Sequence, residues 1–339
     1  MRKLIILVTA MVLLSGCGYL DFSNDTEAKK SVQEVATNLQ IPWSINKHGE
    51  DFFISERVGT IARVSSNGEV THQQVKLSSP LARVSEAGLL GFVLKPNFEE
   101  TKEAFAYYTY DVEGQPYNRV VTLKLDGNPW TETAILLDGI LTGNVHHGGR
   151  LEIGPDQRLY VTIGDASTPN LAQDPTSKNG KIMRLNEDNT WSVVSMGHRN
   201  PQGIAWNENG EMFASEHGQS AKDEINRIEE GKNYGWPLIE GNEQREGLVS
   251  PLLHSGSNTT WAPSGMTFHK GKLYVAALRG EGVLVVNSET AEIEETITGY
   301  GRIRDVFSDG EQLYFVSNNT DGRGSPSADD DILYRYVKE

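Results

Sequence analysis

The feature that most restricts the fold of this sequence is a recurring pair of short apolar segments separated by a tight polar turn. Six such pairs occur, with turns 39 to 61 residues apart. The turns lie near Gly49, Thr101, Asp156, Gly210, Gly271 and Gly310. A period of about 50 residues is typical of a β-propeller, in which each repeat forms one small sheet of about four strands. We therefore predict an all-β, six-bladed β-propeller over residues 35–339.

The two ends of this repeat array need a way to close the ring. The final apolar segment, residues 332–338, is predicted to add a strand to an N-terminal blade and so to remove an exposed sheet edge. Helical periodicity is scarce and is best over residues 27–38. A β-sandwich is the alternative architecture, but it explains the regular spacing of the turns less well.

Composition limits the partners of the chain. The 339 residues include 34 glycines, which favours many tight turns, and the net charge is -15. Nucleic acid is an improbable partner, because binding phosphates requires a basic surface. The single cysteine excludes an internal disulfide framework and a cysteine-rich metal cluster.

The N-terminus has the pattern of a secretory signal. Arg2 and Lys3 precede an apolar run over residues 4–14, which is too short to span a bilayer. The run ends at Leu14-Ser15-Gly16-Cys17, which resembles a bacterial lipobox. We predict a signal peptide over residues 1–16, lipidation of Cys17 and a polar tether over 17–34, giving an extracytoplasmic protein held to the membrane by its lipid alone. An ordinary secretion signal with a chance cysteine is the alternative.

Polar residues at the strand ends are the candidate chemical groups, because like ends of the inner strands meet around a propeller channel. In NVHHGGRLEIGPDQRLYVTIGD, His146 and His147 precede two glycines, and Asp165 ends the next strand of the same hairpin. A carboxylate behind a histidine sets its tautomer, as a general base requires. Glycines allow the backbone to pass close to a bound group. The alternative is a structural histidine that is hydrogen-bonded by its neighbours.

Two further segments carry donors and oxygen ligands. Arg199 and Asn200 in GHRNPQG can donate to a carboxylate or a quinone oxygen, although a turn whose arginine caps carbonyls is the alternative. The segment SEHGQSAKDEIN holds Asp223 and Glu224 in a glycine-containing loop that suits calcium but lacks EF-hand spacing. A solvated acidic loop is the alternative reading.

Arginines at strand ends predict an anionic ligand in this otherwise acidic chain. Alone, an Arg-x-Arg strand such as residues 302–304 is usually a solvated face, but several such arginines together indicate a shared anion. The candidates are Arg150, Arg199, Arg279, Arg302 and Arg304.

Eight blocks in order resemble one known family. They are GLLGFVLKPNF, HHGGRLEIGPD, GHRNPQG, SEHG, DEIN, NYGWP, APSG and RIRDV. The resemblance, over about residues 39–337, is to the soluble quinoprotein sugar dehydrogenases, and more narrowly to the aldose sugar dehydrogenases of the glucose/sorbosone dehydrogenase family. It implies a six-bladed propeller that binds pyrroloquinoline quinone and Ca²⁺. It also implies oxidation of the anomeric carbon of an aldose to the lactone, with electrons passed to an external acceptor.

The resemblance also implies roles for matching residues. His146 matches the base, Asp165 the aspartate that orients it, and Arg199 with Asn200 the pair near the quinone carbonyls. Further residues match positions that line the cofactor pocket, namely Glu86, Thr260, Arg279, Arg302 and Arg304. The carbonyls of Gly218 and Gln219 match the loop that binds the cofactor calcium, and Asp223 and Glu224 match a second, structural calcium site.

The sequence departs from the family pattern at two positions, and two other classes of function are alternatives. His147 stands where Asn or Gln is common, and Gln219 where a proline often follows SEHG, which bears on sugar specificity and calcium affinity. A calcium-dependent hydrolase of lactones or glycosides would use Glu86 and Asp165 as its carboxylates. A cofactor-free binding propeller would need neither the histidine pair nor the arginines.

Overall fold

The computed structural model describes residues 31–337, and these form 25 strands. Helical structure in this range is one turn of α-helix, α1 (Phe98–Thr101), and one 3₁₀ turn (Pro169–Ala172). No helix in residues 31–337 is long and apolar enough to cross a bilayer. The predicted signal peptide and Cys17 lie outside the described residues.

The first two sheets are antiparallel and have four strands each. A short parallel pairing at residues 75–76 and 130–131 joins their outer edges. The strands of the first sheet are β2 (Pro42–His48), β3 (Asp51–Glu56), β4 (Thr60–Val64) and β5 (Val70–Lys76). Those of the second are β6 (Leu89–Leu94), β7 (Glu103–Val112), β8 (Gln115–Leu125) and β9 (Trp130–Leu141).

The middle sheets repeat this order. The third contains β10 (Gly148–Ile153), β11 (Leu159–Ile163), β12 (Lys181–Leu185) and β13 (Trp191–Met196), with β17 (Lys232–Asn233) added in parallel. The fourth contains β14 (Pro201–Trp206), β15 (Met212–Glu216), β16 (Glu224–Ile228) and β18 (Leu253–His254).

The last two sheets complete the set. The fifth contains β19 (Pro263–His269), β20 (Lys272–Ala277), β21 (Gly282–Asn287) and β22 (Glu292–Thr298). The sixth contains β23 (Ile303–Ser308), β24 (Leu313–Ser317), β25 (Leu333–Val337) and β1 (Ser31–Ala36).

The first strands of the sheets form a closed ring. Each packs against its neighbour in the order β2, β6, β10, β14, β19, β23, and β23 packs against β2. Every turn singled out by the repeat joins a first strand to the second strand of its sheet. This arrangement is the all-β propeller that the repeat predicts and is consistent with six blades.

Apolar side chains from adjacent sheets meet between the blades. One core cluster includes Trp43 from β2, Tyr107 from β7, and Leu151 and Val161 from β10 and β11. Because both faces of the inner strands are covered by neighbouring blades, these strands are buried on both sides, whereas outer strands such as β5 and β22 are largely exposed.

The ring closes in a different way from the prediction, because the N-terminal strand joins the C-terminal blade. The C-terminal strand β25 stays in the last blade, pairing with β24, and the N-terminal strand β1 pairs with its other edge. Strand pairing therefore begins at Ser31, four residues before the predicted domain boundary at residue 35 and within the predicted tether. The helical pattern over 27–38 was misleading, because residues 31–36 gain ladder hydrogen bonds only by meeting β25.

Candidate active site

A small cavity lies at one end of the ring axis, where the first strands begin. Its walls contain more cationic than anionic side chains, with three arginines and one glutamate. The lining residues are Trp43, Arg57, Glu86, Leu90, His147, Gly148, Gln202, His217, Leu278, Arg304 and Arg323. The sequence therefore folds so that polar strand ends from distant repeats converge, as the propeller prediction requires.

His146 and Asp165 form a hydrogen-bonded pair beside this cavity. The Nδ1 atom of His146 lies 2.8 Å from Oδ1 of Asp165, and Nε1–H of Trp236 donates to the other carboxylate oxygen at 2.8 Å. Asp165 is fully buried, whereas the His146 side chain is partly exposed. With Nδ1–H donating to the carboxylate, Nε2 of His146 is left as a basic nitrogen.

The backbone of His146 is in the left-handed region, with φ = 66°. Glu86 shares this unusual conformation, with φ = 63°. Non-glycine residues in this region cost free energy and cluster at functional sites. Two candidate site residues are therefore held in conformations that the surrounding fold must impose.

His147 is the structural member of the histidine pair. It is 2% exposed, and its Nε2–H donates to the carbonyl of Ser85 at 3.0 Å. Its Nδ1 accepts from the hydroxyl of Thr142 at 2.8 Å. Burial lowers the pKa of His147, so the ring is neutral and both nitrogens are used. His147 lines the cavity but has no free basic nitrogen.

Arg199 and Asn200 lie next to the His146–Asp165 pair. The carbonyl of Arg199 accepts from the backbone N–H of Asp165 at 2.8 Å, and its guanidinium lies 5.4 Å from the ring centre of Trp236. The side-chain oxygen of Asn200 accepts from the backbone N–H of Gly148 at 3.0 Å. The third and fourth blades are thus linked at the point where the candidate base sits.

Arg302 and Arg304 converge on Asp321, which follows the last inner hairpin. Arg302 bonds the Asp321 carboxylate at 2.8 Å, whereas Arg304 is 3.9 Å away and bonds the Gln202 and Asn318 side chains instead. Burial lowers the pKa of Arg304 to about 9, with nearby cations adding to the effect. Both arginines are buried, so the strand is not a solvated face.

Glu86 is held at the cavity by an ion pair. Nη1 of Arg323 donates to its carboxylate at 2.7 Å. Burial alone would raise the pKa of Glu86, but the hydrogen bond and charge of Arg323 outweigh it and lower the pKa to about 2. Glu86 is therefore ionised at neutral pH.

Arg150 is not among the residues that line this cavity, although its Nη2 is buried and has no hydrogen-bond partner. It is 1% exposed and pairs with Asp305 at 3.1 Å, and it also bonds the Ser44 hydroxyl and the Gln202 carbonyl. The pair crosses the channel between distant blades. Gly148 likewise serves packing, because a Cβ there would come within 2.7 Å of the Gly164 nitrogen.

The loop predicted to bind calcium is organised around Asp223. One carboxylate oxygen accepts from the Gly218 N–H, and the other accepts from the Thr260 hydroxyl and the N–H groups of Trp261 and Ala262. The distances are 2.6 to 2.9 Å. Asp223 and Thr260 thus bond each other, and most of the oxygen lone pairs of Asp223 are used within the protein.

The other predicted calcium ligands differ from Asp223 in their protonation and hydrogen bonding. Burial, together with the nearby carboxylate of Glu216, raises the pKa of Glu224 to about 8, so that it is mainly protonated at neutral pH. The carbonyls of Gly218 and Gln219 accept no hydrogen bond from any residue in the range 31–337. Within that range no group of three or more His, Cys, Asp or Glu side chains has the geometry of a metal site.

We expect Asp223→Asn to lower the free energy of unfolding by about 1–3 kcal/mol, because the amide NH₂ would face N–H donors that now meet a carboxylate. Urea unfolding measures the change. Asp126→Asn, at an exposed turn, is the matched control and should shift stability by less than about 0.5 kcal/mol. Equal shifts in both variants would contradict the anchoring role.

Among the predicted catalytic and cofactor-binding residues, Glu86 and Arg304 line the cavity. The cavity lining does not include His146, Asp165, Arg199, Asn200 or Arg302. Arg279 is exposed, and Thr260 lies with Asp223. Sequence reasoning missed His217, although it belongs to the SEHG block, and it missed Arg57, Asp321 and Arg323, which lie in turns without a motif. The Nε2 of His217 is buried and unpartnered, as are Nε of Arg199 and Nε of Arg302.

The unpartnered nitrogens can be compared with the oxygen acceptors of a carboxylate-bearing quinone. Buried polar atoms without partners are costly unless a ligand meets them. Cationic and neutral nitrogens predominate, and burial lowers the pKa of His217 to about 4, which keeps it neutral. This donor set fits an anionic, planar ligand with oxygen acceptors.

A ring of antiparallel sheets with a cationic cavity and a histidine–aspartate pair defines a propeller enzyme. The family profile named Glucose / Sorbosone dehydrogenase matches residues 39–325. The chain therefore belongs to the glucose/sorbosone dehydrogenase family, and this membership supports a sugar dehydrogenase activity.

Individual relatives agree with this assignment. The chain is 28% identical to aldose sugar dehydrogenase YliI of Escherichia coli strain K12, over 87% of this chain and 92% of the relative. It is 34% identical to quinoprotein glucose dehydrogenase B of Acinetobacter calcoaceticus, over 50% and 44% respectively. The PQQ-bound aldose sugar dehydrogenase from Streptomyces coelicolor superimposes with a TM-score of 0.83 at 34% identity, covering 91% and 98%.

Proposed function

We propose that this protein oxidises the anomeric carbon of an aldose to the lactone, using pyrroloquinoline quinone and Ca²⁺, and passes the electrons to an external acceptor. The observation that carries the proposal is the His146–Asp165 pair beside a cavity rich in arginine. The quinoprotein name of one relative and the PQQ-bound structure of another support the cofactor.

The protein's part in the reaction is to hold and move one proton. Nε2 of His146 accepts the proton of the anomeric hydroxyl, because Nδ1 is committed to Asp165. The buried carboxylate of Asp165 stabilises the resulting imidazolium, and Trp236 holds that carboxylate in place. Glu86, kept ionised by Arg323, can accept a hydrogen bond from another sugar hydroxyl.

Five residues would hold the quinone. Arg302 and Arg304 would bind its carboxylates, and Arg199 with Asn200 would donate to its carbonyl oxygens. The unpartnered Nε2 of His217 supplies one further polar contact. A quinone bound by these residues would supply the hydride acceptor for oxidation of the anomeric carbon.

Calcium would bind the free carbonyls of Gly218 and Gln219, which suit a hard cation. It would act there as a Lewis acid beside the reacting carbonyl. The donor geometry gives less support to a second calcium at Asp223 and Glu224, since the carboxylate oxygens of Asp223 already accept hydrogen bonds within the protein.

Glycoside hydrolysis fits the site less well. A glycosidase needs a carboxylic acid with a raised pKa, whereas the pKa of Glu86 is lowered to about 2. Asp165 is already committed to His146, Trp236 and the Ser167 N–H. A cofactor-free binding propeller would leave the buried cations unexplained.

Reconstitution of the purified apo-protein tests the proposal. We expect an artificial electron-acceptor dye to be reduced by aldoses only when both pyrroloquinoline quinone and Ca²⁺ are supplied. The same preparation should not hydrolyse lactones or aryl glycosides. Hydrolysis without the quinone, or no dye reduction by any aldose, would contradict the proposal.

We also propose that the protein is an extracytoplasmic lipoprotein. Cys17→Ser should move it from the membrane fraction to the soluble fraction, because the lipid would be its membrane anchor. Dye reduction by the released protein should be unchanged, since Cys17 precedes the first described strand. Fractionation with immunoblotting measures the change, and continued membrane association would refute anchoring through this residue.

A further inference from the structure

Arg57 is a cation of the cavity that the proposed chemistry has not used. It lies directly after β3, in the turn to β4, and lines the cavity with Arg304 and Arg323. Its guanidinium makes no hydrogen bond or ion pair with any side chain in the described range 31–337, whereas Arg323 binds Glu86. Arg57 is half-buried, and it lines both this cavity and an open groove formed by residues 57–59, 74–83 and 87–88.

The backbone and stem of Arg57 are held in place. Its N–H donates to the Ile41 carbonyl at 3.0 Å, and its own carbonyl accepts from the Leu89 N–H at 3.3 Å. A Cβ at residue 88 would come within 2.7 Å of Arg57 Cγ, so Gly88 makes room for the arginine stem. The side chain is therefore positioned before any ligand binds, which reduces the entropy lost on binding.

The arginines around the cavity outnumber the carboxylates that can neutralise them. Glu86 is neutralised by Arg323, and Asp321 by Arg302. Arg304 bonds neutral Gln202 and Asn318 and lies 3.9 Å from the carboxylate of Asp321, so Arg57 is the one arginine of the cavity lining that has no ion pair among the described residues. Arg57 is half-buried and therefore partly desolvated, and a bound anion would offset its unpaired charge.

We infer that Arg57 binds a carboxylate of the ligand in this cavity. The inference rests on the proposed quinone-dependent function. The carboxylate has two possible sources, the quinone itself or an acidic aldose such as a uronic acid. In either case the planar guanidinium offers two parallel donors to the two oxygens.

Three variants test the inference in the full-length protein. Arg57→Gln removes the charge, Arg57→Lys keeps it, and Arg63→Gln is the matched control, because Arg63 pairs with Asp51 at the opposite end of the same hairpin. Quinone affinity of the apo-protein is measured by quenching of tryptophan fluorescence at fixed Ca²⁺. KM is then compared for glucose and glucuronate at saturating quinone.

If the quinone is the source, Arg57→Gln should bind it about ten- to hundredfold more weakly, Arg57→Lys should lose less, and Arg63→Gln should match the parent. If a uronic acid is the source, quinone affinity should hold while KM for glucuronate alone rises by a similar factor. Melting temperatures near the parent value exclude a folding effect.

Two different results would overturn these ideas separately. A parent protein that binds no quinone would refute the proposed function and the inference with it. A parent that binds quinone normally, together with an Arg57→Gln variant unchanged in quinone affinity and in the KM ratio of the two sugars, would refute the role of Arg57 alone.

Discussion

His146→Gln should lower turnover of the reconstituted enzyme by about 10²–10⁴, the usual contribution of general acid–base catalysis. The amide cannot accept the hydroxyl proton at the position of Nε2. Quinone affinity should change little, because His146 bonds Asp165 and is not among the cationic groups of the cavity. Asp165→Asn should have an intermediate effect, since it removes the charge that stabilises the imidazolium. Steady-state turnover and quinone titration measure these effects.

His147→Asn is the control for this prediction. It removes a buried ring with two hydrogen bonds, so it should lower the melting temperature, while turnover of the folded fraction stays near the parent value. His146→Gln should show the reverse pattern. If His147→Asn lost more turnover at unchanged stability, the base would be His147, and the assignment would be wrong by one residue.

Replacing Arg302 and Arg304 together by Gln should weaken quinone binding by about 1.5–3 kcal/mol for each charged hydrogen bond lost. Each such loss corresponds to roughly ten- to hundredfold in affinity. The free energy of unfolding should also fall, because Arg302 neutralises the buried carboxylate of Asp321. Breaking one partner of a buried pair is destabilising. Quinone titration and urea unfolding should therefore both respond.

A compensated variant separates the two effects. Arg302→Gln combined with Asp321→Asn removes both charges of the pair, so stability should largely return. Quinone affinity should stay low, because the cation remains absent. Recovery of both quantities in the compensated variant would mean that Arg302 has a structural role only.

Much of the site was predictable because it lies at strand ends. The hairpin HHGGRLEIGPDQRLYVTIGD places Asp165 near the histidine pair through local sequence alone, and the structure joins His146 to Asp165. Sequence could not decide which histidine is the base. That choice depends on Ser85, which is distant in the chain and occupies one nitrogen of His147.

The arginines illustrate the limit of the same reasoning. Arg150 and Arg304 look alike as strand-end cations, yet one is neutralised across the channel by Asp305 and the other faces the cavity. Arg57 lies in the turn after β3, without a recognisable motif. Each outcome depends on a partner from another blade, and strand periodicity carries no information about such partners.

The sequence by itself determined the propeller, the place of the turns and the convergence of polar strand ends, because these follow from local alternation and from a repeat of about 50 residues. Only the tertiary structure decided how the ring closes and which polar groups remain free. β1 and β25 pair although they lie at opposite ends of the chain. Charge compensation in the cavity likewise joins residues such as Glu86 and Arg323, which are 237 positions apart. Burial and pairing are properties of the assembled ring, so they emerge only when all the blades are in place.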